Sequence, residues 1–251
     1  MKTLIKIGVI IVLLVVAAVV VVGMYLGTII KAGIEDVGPK ITGTTIKLDA
    51  VDLSLLSGQV RVKGLVVGNP KGFQTPNAFK LGDSEVGVDL QSALTDKVII
   101  KEILIDGAEV TYETGPSGNN VNKIQENVST FAKSAAPHGA GESKAQKKSS
   151  TQKKVEIDDF IFKNGKATVS ASMLGGKPIT ISLPDIHLKD IGKSSGGVSP
   201  ETAAAEVFKA VEKAVAQSVS KSAGEAAKSI GSAAGKSESQ AVEGIKGLFG
   251  K

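Results

Sequence analysis

An unbroken run of 24 uncharged residues, from Ile7 to Ile30, constrains this chain more than any other feature of its sequence. A helix of that length would extend about 36 Å at about 1.5 Å per residue, enough to cross a hydrocarbon core of about 30 Å. In lipid the run must be helical, because every backbone group has to be hydrogen-bonded within the segment. We therefore predict a membrane anchor over residues 1–31. The residues that we assign to this anchor are Ile7, Val16, Gly23, Gly27 and Ile30.

A cleaved secretory signal is the alternative interpretation of this run. Such signals have an apolar core of about 7 to 15 residues, followed by a small-x-small cleavage site. The core here is longer, and the stretch Lys31-Ala32-Gly33-Ile34-Glu35 after it contains no convincing site. Lys2 and Lys6 lie on the short N-terminal side, which favours a cytoplasmic N-terminus and an exported C-terminal domain. The predicted location is therefore the bacterial inner membrane, with one crossing and a periplasmic domain.

Gly23 and Gly27 form a GxxxG pair near the outer end of the run. This spacing can bring two membrane helices into close contact. In a span rich in valine the same spacing is often incidental, so helix dimerisation is the less favoured interpretation.

The composition excludes several kinds of chemistry. The chain has no cysteine, which removes thiol catalysis and cysteine-based metal sites. Its two histidines are poorly placed, since His138 lies in a polar linker and His187 lies on the polar face of a predicted strand. No GxSxG frame surrounds Ser57, and no glycine-rich phosphate loop precedes a helix. We predict no catalytic residue, no cofactor and no metal site, and a hydrolase built on scattered carboxylates is the weaker alternative.

The basic character of the chain, with a pI near 9.2, does not indicate nucleic-acid binding. Many lysines concentrate in the polar stretch 137–153, where solvation of the segment is the favoured explanation and attraction to anionic lipid headgroups is the alternative. Aromatic stacking partners and a recognisable reader fold are both missing from the sequence, so no nucleic acid is expected among the partners.

Alternating apolar and polar residues between 44 and 112 predict an antiparallel sheet of about five strands. The alternation slips by one residue at Ala50–Val51 and again at Gly64, which we interpret as β-bulges. Asp106-Gly107 is read as a turn. Strands resume at Val155 and continue to Ile191, and Asn164-Gly165 between them is read as a hairpin turn.

Two segments repeat. Residues 97–107 match residues 154–165, with one extra residue in the second copy, which predicts the same strand-turn-strand unit used twice in an elongated sheet.

Helical periodicity predicts an amphipathic helix over 120–136, followed by a flexible linker over 137–153. A Ser-Pro-Glu start predicts a C-terminal helix over 199–223, and residues 224–251 read as a flexible tail.

The predicted fold class is therefore α+β, with mainly β structure. It consists of the anchor, a curved antiparallel β domain over 41–192, and amphipathic helices. The alternation places apolar side chains on one sheet face, and two helices need not cover all of it. One hypothesis is that this apolar face forms a groove that accepts acyl chains. The alternative is that it belongs to an ordinary hydrophobic core covered by the helices. The predicted groove lining is Val60, Val62, Leu65, Val86, Val88, Val98, Ile100, Ile103 and Ile105.

The stretch from Leu53 to Phe73, above all Gly68-Asn69-Pro70 with Gly72-Phe73, resembles AsmA-like proteins of the Gram-negative envelope. The anchor, residues 98–112 and residues 183–192 carry the same resemblance. It implies a repeating β-groove unit held in the inner membrane, facing the periplasm, and a link to phospholipid transport or outer-membrane assembly. It carries no catalytic motif.

Two functions follow as hypotheses. In the first, the protein is non-enzymatic and handles membrane lipid, such as a phospholipid, in its groove, contributing to envelope phospholipid homeostasis. In the second, it is a structural or assembly scaffold that docks an envelope protein partner through exposed strand edges.

Overall fold

The computed structural model describes residues 22–23, 25–115, 118–135, 153–170 and 178–233. Ile7 and Val16 of the predicted anchor lie outside these residues, as do His138, nearly all of the linker 137–153, and the tail beyond residue 233. Within the described part, three helices accompany the strands: α1 over 25–42, α2 over Asn120–Ala135 and α3 over Pro200–Ala233. The prediction of a helix over 120–136 is confirmed, and α3 continues beyond its predicted end at 223.

The structure describes twelve strands, numbered here in chain order. They are β1 (Ile46–Lys47), β2 (Ala50–Ser54), β3 (Gln59–Gly68), β4 (Asn77–Val88), β5 (Lys97–Asp106), β6 (Glu109–Tyr112), β7 (Thr114–Gly115), β8 (Gly118–Asn119), β9 (Lys154–Lys163), β10 (Lys166–Val169), β11 (Ile179–Ser182) and β12 (Ile186–Ile191). All except the small β7–β8 pair belong to one curved, half-barrel sheet, which confirms the mainly β fold.

Several of these segments are halves of the same long strand. β5 and β6 both run antiparallel to β4, and one register covers both, since Ser84 faces Ile105 and Phe79 faces Val110. Likewise, β11 and β12 continue each other along β10 and β9, and β1 and β2 continue each other along β3. The sheet therefore contains six long strands, arranged side by side in chain order.

Four of the six long strands are interrupted at the same level, and β3 and β4 continue through that level. The registers on either side place six residues in one row across the sheet, which we call the bend line. The bend line consists of Asp49, Gly64, Gly82, Gly107, Asn164 and Pro184. Gly64, Gly107 and Asn164 have φ values of 62°, 72° and 54°, a left-handed conformation that breaks ordinary strand alternation. The bend line divides the sheet into an upper half with β1, β6, β10 and β11 and a lower half with β2, β5, β9 and β12.

The predicted slips at Ala50–Val51 and Gly64 are real, but the interpretation as β-bulges is wrong. No extra residue is inserted there, because β3 keeps one register with β2 and with β4 through Lys63 and Leu65. All six strands slip together, so each residue keeps its partner. The alternation of inward-facing and outward-facing side chains therefore shifts by one residue at the bend line, and the residues there keep their cross-strand partners.

The two predicted turns are also corrected. Asp106-Gly107 and Asn164-Gly165 do not reverse the chain, since the strand continues in the same direction after each pair. Glycine and asparagine occupy the left-handed region readily, and here that conformation kinks a strand in place of closing a hairpin.

The antiparallel prediction fails at one junction. The repeated segments lie side by side as parallel strands, with Lys97 level with Lys154 and Glu109 level with Lys166, a constant offset of 57 residues. The extra residue that the sequence match inserted is not needed. Parallel neighbours require a crossover connection, and the segment containing α2 supplies it.

The core lies between the concave face of the sheet and the helices α2 and α3. Phe160, Ile124 and Val215 are fully buried within it, and Phe208 of α3 meets Phe79 edge-on with ring centroids 5.7 Å apart. α3 packs on β9, β10, β11 and β12, and α2 packs on α3. Both helices therefore cover the upper half and the far strands of the lower half.

α1 lies along the outer edge of β1 and β2, antiparallel to them. The Lys31 ammonium donates to the carbonyls of Leu48 and Asp49, at 2.5 and 3.0 Å, and the Glu35 carboxylate accepts from the Leu48 N–H at 3.1 Å. These contacts satisfy backbone groups that the interruption between β1 and β2 leaves free.

Among the described residues, no helix combines the length and the apolar composition that crossing a bilayer requires.

Replacing Gly64 with alanine should lower the free energy of unfolding by about 1–3 kcal/mol, because the left-handed φ strains any residue with a Cβ. Gly82 is its neighbour on the bend line, has ordinary φ and has open space where a Cβ would be. Gly82→Ala should therefore change stability by about 0.5 kcal/mol or less. Urea unfolding of both variants, followed by circular dichroism, measures the difference, and equal losses would contradict this account of the bend line.

Candidate functional site

An apolar surface, interrupted by Ser84 between Val62 and Ile105, lines the concave face of the lower half. Cross-strand pairing places Leu53, Val60, Val86 and Ile103 in one row, and Val88 faces Ile100 in the next. Paired residues of neighbouring strands share a sheet face. We call this surface the apolar trough and define it by Leu53, Val60, Val62, Val86, Val88, Val98, Ile100 and Ile103.

The nine predicted groove residues are all half-buried, neither sealed in the core nor fully exposed. They divide into two groups. Ile100, Ile103 and Ile105 pack against the main core cluster, whereas Val60, Val62, Val86 and Val88 lie outside the cluster that the described residues form. Because α3 covers β9 and β12, the strands nearest α1 are the ones left with accessible apolar side chains.

An apolar cavity of about 230 Å³ lies at the bend line, where the trough meets the helices. Leu65 and Ile105, both predicted groove residues, line it. The rest of its wall comes from α1, α3 and the sheet: Ile34, Thr42, Ile46, Val67, Phe79, Leu81, Ala108, Phe160, Phe162, Val207, Phe208 and Val211. The Thr42 hydroxyl is already bonded to the Gly38 carbonyl at 2.9 Å. The volume is below the roughly 300–1,000 Å³ of typical small-molecule sites.

The convex face carries the charges of the same strands. Arg61 pairs with Glu85 at 2.8 Å, Lys63 with Asp52 at 2.7 Å, and Lys163 with Asp106 at 3.4 Å. The hydrogen bond from Arg61 to Glu85 and the charge of that carboxylate raise the pKa of the guanidinium. Charged residues are therefore separated from the trough by the thickness of the sheet.

A family model described as the AsmA family matches residues 1–232. The chain belongs to the AsmA family. No curated protein and no solved structure matched it. The resemblance inferred from the sequence is confirmed. Membership supports an envelope-associated role and a bacterial envelope location, and the family is not known for enzymatic activity.

In this AsmA-family chain, the Gly68-Asn69-Pro70 segment is held by a buried polar network. Asn69 donates to the Thr75 carbonyl at 2.7 Å and accepts from the amide of Asn120 at 2.7 Å. Asn120 is fully buried, and it also donates to the Thr111 carbonyl at 2.7 Å. The network thus joins the loop after β3 to the start of α2, and so positions the helix that covers the upper half.

Glu113 completes this network and was not anticipated from the sequence. Its carboxylate is 4% exposed and accepts from the N–H groups of Gln74 and Thr75, at 2.6 and 2.7 Å, and from the Thr75 hydroxyl. Burial alone would raise the pKa of this carboxyl, but these hydrogen bonds outweigh it and hold the pKa below its ordinary value. A lone acid after a strand carries no sequence signal of such a role.

The GxxxG pair packs against a strand of the sheet and not against a second membrane helix. Gly23 and Gly27 are buried against the backbone of β2, where a Cβ on Gly27 would collide with the Val51 carbonyl oxygen. The small residues therefore let α1 lie close to a strand edge, and this face is not available to a second helix.

The remaining predicted features have structural roles on the surface. His187 is exposed, and its Nε2 lies 2.6 Å from the Asp159 carboxylate. Asp158, the residue before Asp159, pairs with Lys193 at 3.5 Å, so these two neighbouring carboxylates have different partners and do not form a catalytic pair. Within the described ranges, no group of three acidic or histidine side chains converges as a metal site would require.

Glu113→Gln should lower the free energy of unfolding by about 1–3 kcal/mol at neutral pH, because the network loses an anionic acceptor. Since the folded pKa is depressed, the stabilisation from Glu113 is present above its unfolded pKa of about 4.3 and is lost as the pH falls through the folded value. The difference between wild type and variant should therefore shrink in acid. Urea titrations between pH 3 and pH 7 measure it, with the exposed Glu102→Gln as control; a pH-independent difference would contradict the assignment.

Proposed function

We propose that this AsmA-family protein is a non-enzymatic envelope protein that holds a lipid acyl chain in its apolar trough. In this proposal the N-terminal run anchors it in the inner membrane with one crossing, and the β domain lies in the periplasm. By holding lipid it contributes to envelope phospholipid homeostasis. The observation that carries the proposal is the set of half-buried valines on the concave face, Val60, Val62, Val86 and Val88, which lie outside the main core cluster of the described residues.

The energetics of such binding need only apolar contact. Each methylene removed from water contributes about 0.8 kcal/mol, so ten methylenes would contribute up to about 8 kcal/mol before the cost of ordering the chain. A charged or catalytic residue is not required. The cavity at the bend line supports one end of the chain, and Val60, Val86 and Ile103 support the next segment.

The open form of the sheet supports the same function. The described strands do not close on themselves, since β2 and β12 are at opposite ends of the strand order. An elongated ligand could therefore enter from the side or from the end of the trough. The charged convex face would remain in water while the ligand is held.

A scaffold function is the second candidate, and one observation favours it. The edge formed by β11 and β12 pairs on one side only, with β10 and β9, among the described strands. However, Pro184 removes an N–H from that edge, Asp190 takes a left-handed φ of 56°, and Lys189 is exposed. Such features protect natural edges against strand addition, so we place lipid holding first.

Native mass spectrometry on protein extracted gently from membranes tests the proposal. Wild type should retain phospholipid, and Val62→Asp should retain at least about tenfold less, because a carboxylate in the trough costs about 1.4 kcal/mol or more. Val66→Asp is the matched control: Val66 is a half-buried valine on the same strand, on the convex face between Lys47 and Lys80.

Val66→Asp should retain wild-type amounts of lipid. The proposal fails if wild type carries no lipid, or if the two variants lose it equally while remaining folded by circular dichroism. Lipid-free protein with a stoichiometric protein partner would favour the scaffold function.

A further inference from the structure

Two exposed leucines lie at the same end of the lower half. Leu56, in the connection between β2 and β3, is 80% exposed, and Leu94, in the connection between β4 and β5, is 89% exposed. The connections touch each other, because the Val88 N–H donates to the Gly58 carbonyl at 2.8 Å, and Leu90 lies beside Gly58. We call Leu56 and Leu94 the leucine tips.

The N-terminal run approaches the domain at this end. α1 runs antiparallel to β1 and β2, so that Gly23 lies beside Leu53 while Lys31 lies beside Leu48. The eight residues between Gly23 and Lys31 correspond to about 12 Å along the helix axis. Leu56 lies three residues beyond Leu53. The leucine tips are therefore at least about 12 Å from Lys31, the first charged residue after the apolar run, measured along the axis of α1 toward its N-terminus.

The outward face of this part of the helix is apolar as well. Val22, Tyr25 and Ile29 are exposed, and they share one side of the helix by their spacing. Lys153 is also at this end, with its ammonium 2.6 Å from the Ala93 carbonyl next to Leu94. Exposed apolar residues beside an amine match the boundary between acyl chains and anionic headgroups.

We propose that the leucine tips insert into the membrane interface beside the anchor, so that the lower end of the domain rests on the bilayer. The occupant of this surface is the lipid bilayer itself. Insertion of the two connections alone takes the tips to the headgroup–acyl boundary, about 5–10 Å below the surface, and leaves Lys31 and the charged convex face outside the bilayer. The end of the trough at Val88 and Val98 then opens directly toward lipid. The insertion rests on the membrane anchor of the proposed function, and it does not depend on whether the trough holds a lipid.

The absence of cysteine allows a direct test by single labelling of the full chain. Leu56→Cys, Leu94→Cys and Ile179→Cys each carry the same environment-sensitive fluorophore. Ile179 is the matched control, since it is 47% exposed and lies in β11, in the upper half at the opposite end of the sheet. The protein is placed in nanodiscs of phosphatidylethanolamine and phosphatidylglycerol, with and without bromine on the acyl chains.

We expect bromine to reduce the emission of the labels at positions 56 and 94 by about twofold or more, as for groups at the acyl boundary. The label at position 179 should be unaffected. Equal quenching at all three positions, or none at the tips, overturns the proposal. A blue-shifted emission at the tips without bromine quenching also overturns it, because it places them against protein. Repeating the measurement in Val62→Asp separates insertion from lipid holding, since tip quenching should persist when the trough is blocked.

Discussion

The bend line is the constraint on which the rest of this structure depends. In all six strands the alternation of inward-facing and outward-facing side chains shifts by one residue at the same level. Because the strands shift together, their cross-strand pairing continues through this level. A slip confined to one strand would move its apolar residues to the charged face while its neighbours stayed in place. Because Gly64, Gly107 and Asn164 adopt left-handed conformations in separate strands, the sheet can bend as a unit and keep one apolar, concave face.

The placement of the helices follows from that bend. α3 crosses from β9 and β12 toward the upper half, where Phe208 meets Phe79, and α2 packs beside it. The polar network around Glu113 and Asn120 holds α2 in position. α1 covers the opposite edge, where Lys31 and Glu35 bond to the interrupted strand. The trough is the part of the concave face that these three helices leave accessible, and its walls carry no charge.

Much of this architecture could be predicted from local sequence patterns. Alternation located the apolar face and both slips, the Gly68-Asn69-Pro70 motif with Gly72-Phe73 indicated the AsmA resemblance, and helical periodicity located α2. The errors arose where one local signal serves two geometries. Asp-Gly and Asn-Gly favour left-handed residues, which can close a hairpin or kink a strand, and only long-range pairing decides between them. The 57-residue repeat was visible, but its parallel pairing depends on the crossover. Similarly, GxxxG indicates close approach without specifying whether a helix or a strand edge approaches. Glu113 had no pattern at all, because its partners are about 38 residues away along the chain.

A high-resolution experimental structure of protein purified without stripping its lipid tests the central claim most directly. We expect an open sheet, with elongated density running from the cavity at Ile105 along Val60 and Val86, and with no side chain filling that path. A sheet closed around a dry centre, or a trough filled by the protein's own residues, would contradict it.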